Sequence, residues 1–275
     1  MGTAMLDWWI AAVMGVVEGV TEFLPVSSTG HLILAGHLLG FTGQKASCFD
    51  VFIQLGAIFA VVCLYHHRFM GLIPVQGAFK FAQSGFSGVR GITLLAVTTL
   101  PALLIGALTH NAIKTYLFAP ITVVLALSLG GIAILLVERF KPEPDVEALD
   151  NMTYRQALVV GLFQVLAMWP GISRSAATII GGMLSGLNRK VSAEYSFLAA
   201  VPVMVAATGY DLYKEWQFLS MSDMGFFATG FIVSFVSAIL AVKTFVGLVQ
   251  RWSLAPYAWY RIAVALVFYV VFIAH

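Results

Sequence analysis

A proline interrupts an apolar helix in the stretch GVVEGVTEFLPVSSTGH, residues 15–31. Pro25 ends this helix, because proline has no N–H to donate and its ring clashes with the preceding turn. Ser27 and Ser28 favour the start of a second helix at about Gly30, since serine is a good N-cap residue. The stretch therefore predicts a helix, a break, and a second helix whose free N–H groups face the break.

A second stretch, GLFQVLAMWPGISRSAAT at residues 161–178, has the same plan. An apolar helix reaches Pro170, and a serine-rich segment then opens a further helix. Gln164 stands where Glu18 stands in the first stretch, and Arg174 lies among the hydroxyl groups. We interpret the two stretches as matching halves of one site.

The composition predicts a helical membrane protein. Hydrophobic residues make up 60% of the chain, charged residues make up 10%, and the mean hydropathy is +0.92. Apolar runs long enough to cross a bilayer recur throughout. The net charge of +2 comes without a basic run, so we expect no nucleic-acid partner. Cys48 and Cys63 are interpreted as ordinary thiols in apolar surroundings rather than as a disulfide.

The linker KPEPD at residues 141–145 divides a single membrane domain, 1–275, into two halves, 1–140 and 151–275. Each half is predicted to contain one re-entrant helical hairpin and three membrane-spanning helices. The hairpins pair 8–24 with 30–40 and 153–169 with 175–187, and the spans are 50–65, 91–108, 120–137, 192–210, 226–248 and 256–273. Residues 41–48 are expected to be a polar loop. Three spans per half place the halves in opposite orientation, which predicts an all-α polytopic protein with an inverted-topology repeat.

Basic residues predict the orientation of the chain in the membrane. The side opposite the first hairpin receives Arg68, Lys80, Arg90, Arg139, Lys141, Arg155, Arg189, Lys190 and Arg251. The side of the first hairpin receives Lys45, Lys114 and Lys214. Because cytoplasmic loops carry the excess of lysine and arginine, the first hairpin and both termini are expected on the outer face.

Two carboxylates lie in the first apolar helix. Glu18 and Glu22 are spaced i, i+4, so on a continuous helix they share one face. An ionisable residue near the bilayer centre is costly and therefore marks a functional site. Two carboxylates this close require either a raised pKa or a bound cation, and hard oxygen ligands suit Mg²⁺ or Ca²⁺. The alternative is that both side chains face the outer water and are merely solvated.

The second stretch predicts an anion site. Arg174 offers a planar fork for phosphate, and the helix N-terminus around Ser173 and Ser175 adds N–H donors. The hydroxyl groups have an alternative role as helix caps or as donors to carbonyl oxygens of the preceding helical turn. In the first stretch, His31 follows Ser28 by three residues, and together they offer a general base and a nucleophile. The sequence leaves open whether Ser28 or His31 attacks phosphorus, or whether either only activates water.

These motifs resemble the undecaprenyl-diphosphate phosphatase family, also known as bacitracin-resistance proteins, over nearly the whole chain. The resemblance implies an integral hydrolase of the bacterial inner membrane that removes one phosphate from a C55 isoprenyl diphosphate. It thereby recycles the lipid carrier for peptidoglycan synthesis. It also implies a divalent cation and an active site open to the periplasm. The family's functional positions are occupied here by Glu18, Glu22, Ser27, Ser28, His31, Ser173, Arg174 and Thr178.

The expected site combines these residues. Catalysis is assigned to Ser28, His31, Glu18 and Glu22, diphosphate binding to Ser27, Ser173, Arg174, Ser175 and Thr178, and the metal to Glu18 and Glu22. The expected partners are an isoprenyl diphosphate lipid, membrane lipids and a possible second copy of the chain. The rival function is a transporter or flippase for a lipid-linked phosphate, because inverted repeats are typical of transporters.

Overall fold

The computed structural model describes residues 3–73, 85–117, 119–215 and 223–274. Within these ranges the chain folds into eleven α-helices and one short 3₁₀ turn, with no named strand. The helices are α1 Thr3–Thr21, α2 Ser28–Leu38, α3 Gln44–Leu64, α4 His66–Met70, α5 Gly88–Tyr116, α6 Pro120–Phe140, α7 Tyr154–Leu166, α8 Arg174–Leu184, α9 Arg189–Glu215, α10 Met224–Val249 and α11 Ala255–Phe272, with the 3₁₀ turn at Leu149–Asn151.

Six helices in the described ranges are long and apolar enough to cross a membrane, namely α3, α5, α6, α9, α10 and α11. The predicted all-α polytopic class and its six spans are therefore confirmed. Most spans are longer than predicted, because helical residues of mixed polarity continue beyond the apolar runs. The expected loop at 41–48 was wrong in its second half, since α3 already begins at Gln44 after Gly43, which has a φ of 92°.

The two proline breaks separate short helices from their successors, α1 from α2 and α7 from α8. Ser27 and Ser173 occupy equivalent places, each directly before the second helix, and each has a φ of 74°. No other non-glycine residue in the described ranges has a positive φ. Such a backbone conformation costs about 1–3 kcal/mol and persists only where the surroundings enforce it. The two breaks therefore share one strained geometry.

Glycines let the first helix of each pair pack closely on a spanning helix of the other half. A Cβ added to Gly15 of α1 would lie 2.6 Å from the carbonyl oxygen of Gly230 in α10. A Cβ added to Gly161 of α7 would lie 2.7 Å from the carbonyl oxygen of Thr98 in α5. These reciprocal contacts agree with two halves that repeat the same plan. The opposite orientation of the halves and the re-entrant course of the hairpins remain predictions.

Ion pairs tie the helix ends together on the side of the linker. Glu138 of α6 accepts hydrogen bonds from Arg189 of α9 at 2.6 Å and from Lys141 at 2.6 Å. It also accepts one from the backbone N–H of Leu254, next to α11, at 2.8 Å. Close to the linker in sequence, Asp150 accepts a hydrogen bond from the backbone N–H of Phe86, which lowers the pKa of this carboxyl group. These contacts join both halves away from the breaks.

Candidate active site

The two breaks bring three predicted site residues into direct contact. The Ser28 hydroxyl, at the start of α2, donates to Oε2 of Glu22 at 2.6 Å. Nη2 of Arg174, at the start of α8, donates to Oε1 of the same carboxylate at 2.9 Å. Ser28 and Arg174 hold equivalent positions in the two stretches. The Glu22 carboxylate therefore joins the two halves, as the sequence predicts for a single site.

Arg174 is held on its other side by α9 and by an aromatic ring. Its Nη1 donates to the carbonyl oxygen of Ser196 at 3.1 Å, and its Cζ lies 5.2 Å from the ring centroid of Phe23. Its Nε is buried and meets no hydrogen-bond acceptor in the described part of the chain. The guanidinium is thus oriented by fixed contacts and retains an unused donor.

The hydroxyl groups around Arg174 form a connected network. Ser173 caps α8 by accepting from the backbone N–H of Ala176 at 3.2 Å, and its Oγ lies 3.0 Å from that of Ser175. Ser175 donates to the carbonyl oxygen of Leu24 at 2.7 Å, which links the second break to the first. Thr178 donates to the carbonyl oxygen of its own helix at Arg174, at 2.8 Å. The alternative role of helix capping is therefore observed for Ser173, whereas Ser175 connects the two breaks.

Ser27 differs from Ser173 in the hydrogen bonding of its side chain. Although both precede a helix with the same φ, Ser27 makes no side-chain capping hydrogen bond, and it is 3% exposed. Its backbone carbonyl instead accepts from the ring of His31 at 2.7 Å. The Ser27 hydroxyl is therefore not committed to capping α2.

His31 is engaged at both ring nitrogens. A carbonyl oxygen can only accept, so the 2.7 Å contact with Ser27 places the proton on Nδ1 of the neutral ring. Nε2 then accepts from the hydroxyl of Tyr260 at 2.8 Å, and the two rings stack with a centroid separation of 5.5 Å. Transfer of the Ser28 proton to His31 is one of the alternatives that the sequence leaves open. In the structure, Ser28 donates to Glu22 instead.

Glu18 and Glu22 are both buried, at 0% and 8% exposure, so the alternative of two solvated carboxylates is excluded. Their surroundings nevertheless differ. α1 ends at Thr21, which puts Glu22 in the turn where it meets Ser28 and Arg174. Glu18 remains inside the helix, and neither of its oxygens has a hydrogen-bond partner among the residues that the structure describes. A buried carboxylate without partners is costly, so this position fits a group that holds a proton or a cation.

The Glu18 side chain also fits the first ligand of a hard cation. Its two oxygens are available, whereas those of Glu22 already bind Ser28 and Arg174. The described part of the chain contains no cluster of three or more His, Cys, Asp or Glu side chains arranged for a metal ion. Mg²⁺ commonly binds through one or two carboxylates together with substrate phosphates and water, which needs no such cluster.

The sequence analysis missed Ser196, Tyr260 and Arg261. Ser196 orients Arg174 from α9, and its Oγ lies 2.7 Å from that of Thr178. Tyr260 and Arg261 are neighbours on α11, and they contact His31 and the two breaks. A signal was present for Arg261, because it is the one charged residue in the predicted span 256–273.

The chain has several membrane-spanning helices, and between its two broken helices it buries a carboxylate, a guanidinium and a hydroxyl group. These features are typical of integral membrane enzymes that act on anionic groups. The family described as "Bacitracin resistance protein BacA" matches residues 11–267. The chain belongs to this family.

Curated relatives are similar over nearly their whole length. An undecaprenyl-diphosphatase of Nitratidesulfovibrio vulgaris (strain DP4) is 58% identical over 266 residues, which cover 96% of this chain and 98% of that protein. An undecaprenyl-diphosphatase of Maridesulfovibrio salexigens is 56% identical over 261 residues, covering 95% and 97%. One of Oleidesulfovibrio alaskensis is 54% identical over 261 residues, with the same coverage. The predicted family membership is therefore confirmed.

Proposed function

We propose that this protein is an integral membrane phosphatase that hydrolyses undecaprenyl diphosphate to undecaprenyl phosphate and inorganic phosphate. The observation that carries the proposal is the Glu22 carboxylate held between the Ser28 hydroxyl and the Arg174 guanidinium. Relatives at 54–58% identity are named as undecaprenyl-diphosphatases, which agrees with it. The product would re-enter peptidoglycan synthesis, and removal of the diphosphate would confer bacitracin resistance. The rival transporter function has no comparable support.

Glu22 is placed to act as a general base for Ser28. As Ser28 Oγ attacks the terminal phosphorus, its proton passes to Glu22 across the existing 2.6 Å hydrogen bond. The bond between phosphorus and the bridging oxygen breaks, and isoprenyl phosphate leaves with that electron pair. Water then attacks the phosphorus, the bond from phosphorus to Ser28 Oγ breaks, and Glu22 returns its proton to Ser28. Hydrogen phosphate leaves with the oxygen and one proton of the water, and the other proton is released to solvent. The competing route, in which His31 activates water and Ser28 only binds phosphate, predicts no phosphoserine.

Arg174 stabilises the charge on the transferred phosphoryl group. Phosphoryl transfer depends mainly on positioning and on electrostatic stabilisation rather than on covalent assistance. The unused Nε–H donor of Arg174 is available to a phosphate oxygen. Ser27, Ser173, Ser175 and Thr178 are proposed to line the diphosphate site with hydroxyl groups and helix N-termini.

A divalent cation, Mg²⁺ or Ca²⁺, would be held mainly by Glu18. Glu22, the second ligand that the sequence predicts, already binds Ser28 and Arg174 through its two oxygens, so it would contribute only through a remaining lone pair. When bound, such an ion neutralises part of the diphosphate charge. The partnerless oxygens of Glu18 support this role. The remaining coordination positions would belong to phosphate oxygens and water.

The site is proposed to face the periplasm of a bacterial inner membrane. The excess of basic residues on the opposite side supports this orientation. Lys80 lies outside the described residues. The remaining residues on that side include Arg139, Lys141, Arg155 and Arg189, which lie near the linker.

Phosphate release from a synthetic isoprenyl diphosphate by the purified protein in detergent tests the function. We expect phosphate and isoprenyl phosphate in equal amounts, with loss of activity in excess EDTA and recovery on adding Mg²⁺ or Ca²⁺. Arg174→Ala serves as the inactive control for contaminating phosphatases. An absence of phosphate release by folded wild-type protein with added metal would reject the proposal.

A further inference from the structure

Arg261, on α11, is completely buried at 0% exposure and uses every N–H donor of its guanidinium on a backbone carbonyl. Its Nε donates to Leu127 at 3.3 Å, its Nη1 to Pro25 at 3.2 Å and to Ile172 at 2.8 Å, and its Nη2 to Ala126 at 3.2 Å and to Gly171 at 2.8 Å. No carboxylate in the described ranges forms an ion pair with it. The buried charge is therefore balanced by carbonyl dipoles alone.

Three of these carbonyls belong to the breaks. Pro25 and Gly171 occupy equivalent positions, and Ile172 follows in the second break. Because neither helix continues through its break, these carbonyls receive no backbone N–H in the described chain. In an apolar interior, a carbonyl without a donor costs several kcal/mol. The Arg261 guanidinium thus donates hydrogen bonds to carbonyl oxygens of both breaks that have no backbone donor among the described residues.

The same contacts lie directly beside the strained serines. Ser27 is two residues after Pro25, and Ser173 is the residue after Ile172, each with a φ of 74°. A residue in such a conformation requires fixed neighbours to keep it there. The helices that begin after these serines carry Ser28 and Arg174, which meet on Glu22.

We propose that Arg261 is a positioning residue that locks the two breaks to each other and so sets the distance between the Ser28 hydroxyl and the Arg174 guanidinium. Its link to catalysis rests on the proposed phosphatase function. Arg261 acts through the backbone and need not touch the substrate.

Lysine and glutamine cannot replace this fork. Lysine has three donors on one flexible nitrogen, and glutamine has two, whereas five carbonyls must be satisfied across two breaks and α6. We therefore expect Arg261→Lys to lower kcat by a factor on the order of 10², the usual result of a misplacement of about 1 Å. Arg251→Lys is the matched control, because Arg251 is exposed beyond the end of α10.

Gly130 provides a second variant that retains Arg261. A Cβ added to Gly130 of α6 would lie 2.7 Å from Cζ of Arg261, so Gly130→Ala forces the guanidinium to move. Alanine normally favours a helix over glycine, so a loss at this position reflects the contact with Arg261 rather than a weakened helix. Gly247→Ala on α10 is the control, since a Cβ there meets nothing within 4 Å. We expect Gly130→Ala to lose kcat and Gly247→Ala to stay within about twofold of wild type.

The decisive experiment combines kinetics on the folded fraction with amide hydrogen exchange. Arg261→Lys and Gly130→Ala should both reduce kcat by more than they change KM. Peptides covering residues 23–28 and 171–175 should lose protection together, while peptides from the middle of α10 keep theirs. A kcat per folded molecule equal to wild type, or exchange that changes at neither or only one break, would overturn the proposal.

The two measurements separate this proposal from the function on which it depends. If the wild type releases no phosphate, the phosphatase assignment fails, and the exchange result still decides whether Arg261 couples the breaks. If Arg261→Lys does not fold, Gly130→Ala, which keeps the guanidinium, supplies both readouts. Unchanged protection in that variant overturns the coupling.

Discussion

Replacing Glu22 by glutamine tests the proposed mechanism, because the Glu22 carboxylate binds both Ser28, the proposed nucleophile, and Arg174. Glutamine keeps the size of the side chain and can still hydrogen bond to Ser28, but it carries no charge and cannot take a proton. A positioned general base contributes about 10²–10⁴ in rate. We therefore expect Glu22→Gln to lower kcat by that factor.

The same substitution also has a cost in stability that follows from burial. The side chains of Arg174 and Glu22 are 13% and 7% exposed, so the variant leaves a buried guanidinium without its counter-charge. Removing one partner of a buried ion pair costs about 3–5 kcal/mol. Because the amide oxygen of glutamine still accepts from Arg174, we expect a loss of about 3 kcal/mol or less, measured as a lower melting temperature in detergent.

Glu138→Gln is the matched control for this prediction. The side chain of Glu138 is 8% exposed, close to the 7% of Glu22. It pairs with Arg189 and contacts neither Ser28 nor Arg174. We expect it to lower the melting temperature without changing kcat per folded molecule. The reasoning would be refuted if Glu22→Gln kept more than about a tenth of wild-type kcat, or if Glu138→Gln lost as much kcat as Glu22→Gln.

Three further predictions concern charge, metal and orientation. Arg174→Ala should abolish turnover while the protein still inserts into the membrane. Arg174→Lys should restore little activity, because a point charge does not reproduce the planar fork of the guanidinium. Near-normal phosphate release by Arg174→Ala would contradict the role of Arg174 in binding phosphate. Glu18→Gln should weaken the dependence on Mg²⁺ in a metal titration or remove activity, and full wild-type activity in excess EDTA would refute the cation. In a variant with Cys48 and Cys63 replaced, Thr42→Cys should react with an impermeant thiol reagent in intact cells. Labelling only after permeabilisation would mean that this loop faces the cytoplasm, which contradicts the proposed orientation.

Local chemistry made the breaks predictable. Proline cannot continue a helix and serine favours a helix start, so the interruptions at Pro25 and Pro170 follow from residues within a few positions. The six spans followed from the length of their apolar runs. The meeting of the two breaks in one site followed from the repeated pattern, and Arg174 does contact a residue of the first stretch.

The partners of each carboxylate could not be predicted from spacing. Glu22 still donates its backbone N–H to the carbonyl oxygen of Glu18 at 2.9 Å, so the i, i+4 spacing holds, but Glu22 lies just beyond α1 and meets residues of the two breaks that Glu18 does not contact. The pairing of Ser28 with Glu22 rather than His31 depends on that same turn. The charge of Arg261 within an apolar span marked the position, but its contacts could not be predicted, because its partners are backbone carbonyls, which leave no pattern of side chains in a sequence.

The stereochemical course at phosphorus tests the central claim, that the phosphoryl group is first transferred to the protein, at Ser28, and only then to water. The substrate would be an isoprenyl diphosphate made chiral at its terminal phosphorus with sulfur and oxygen isotopes, turned over by the wild-type protein in isotopically labelled water. Transfer to Ser28 and then to water involves two in-line displacements, each of which inverts the phosphorus. The account predicts net retention. Net inversion would contradict it, and would mean that water attacks the diphosphate directly.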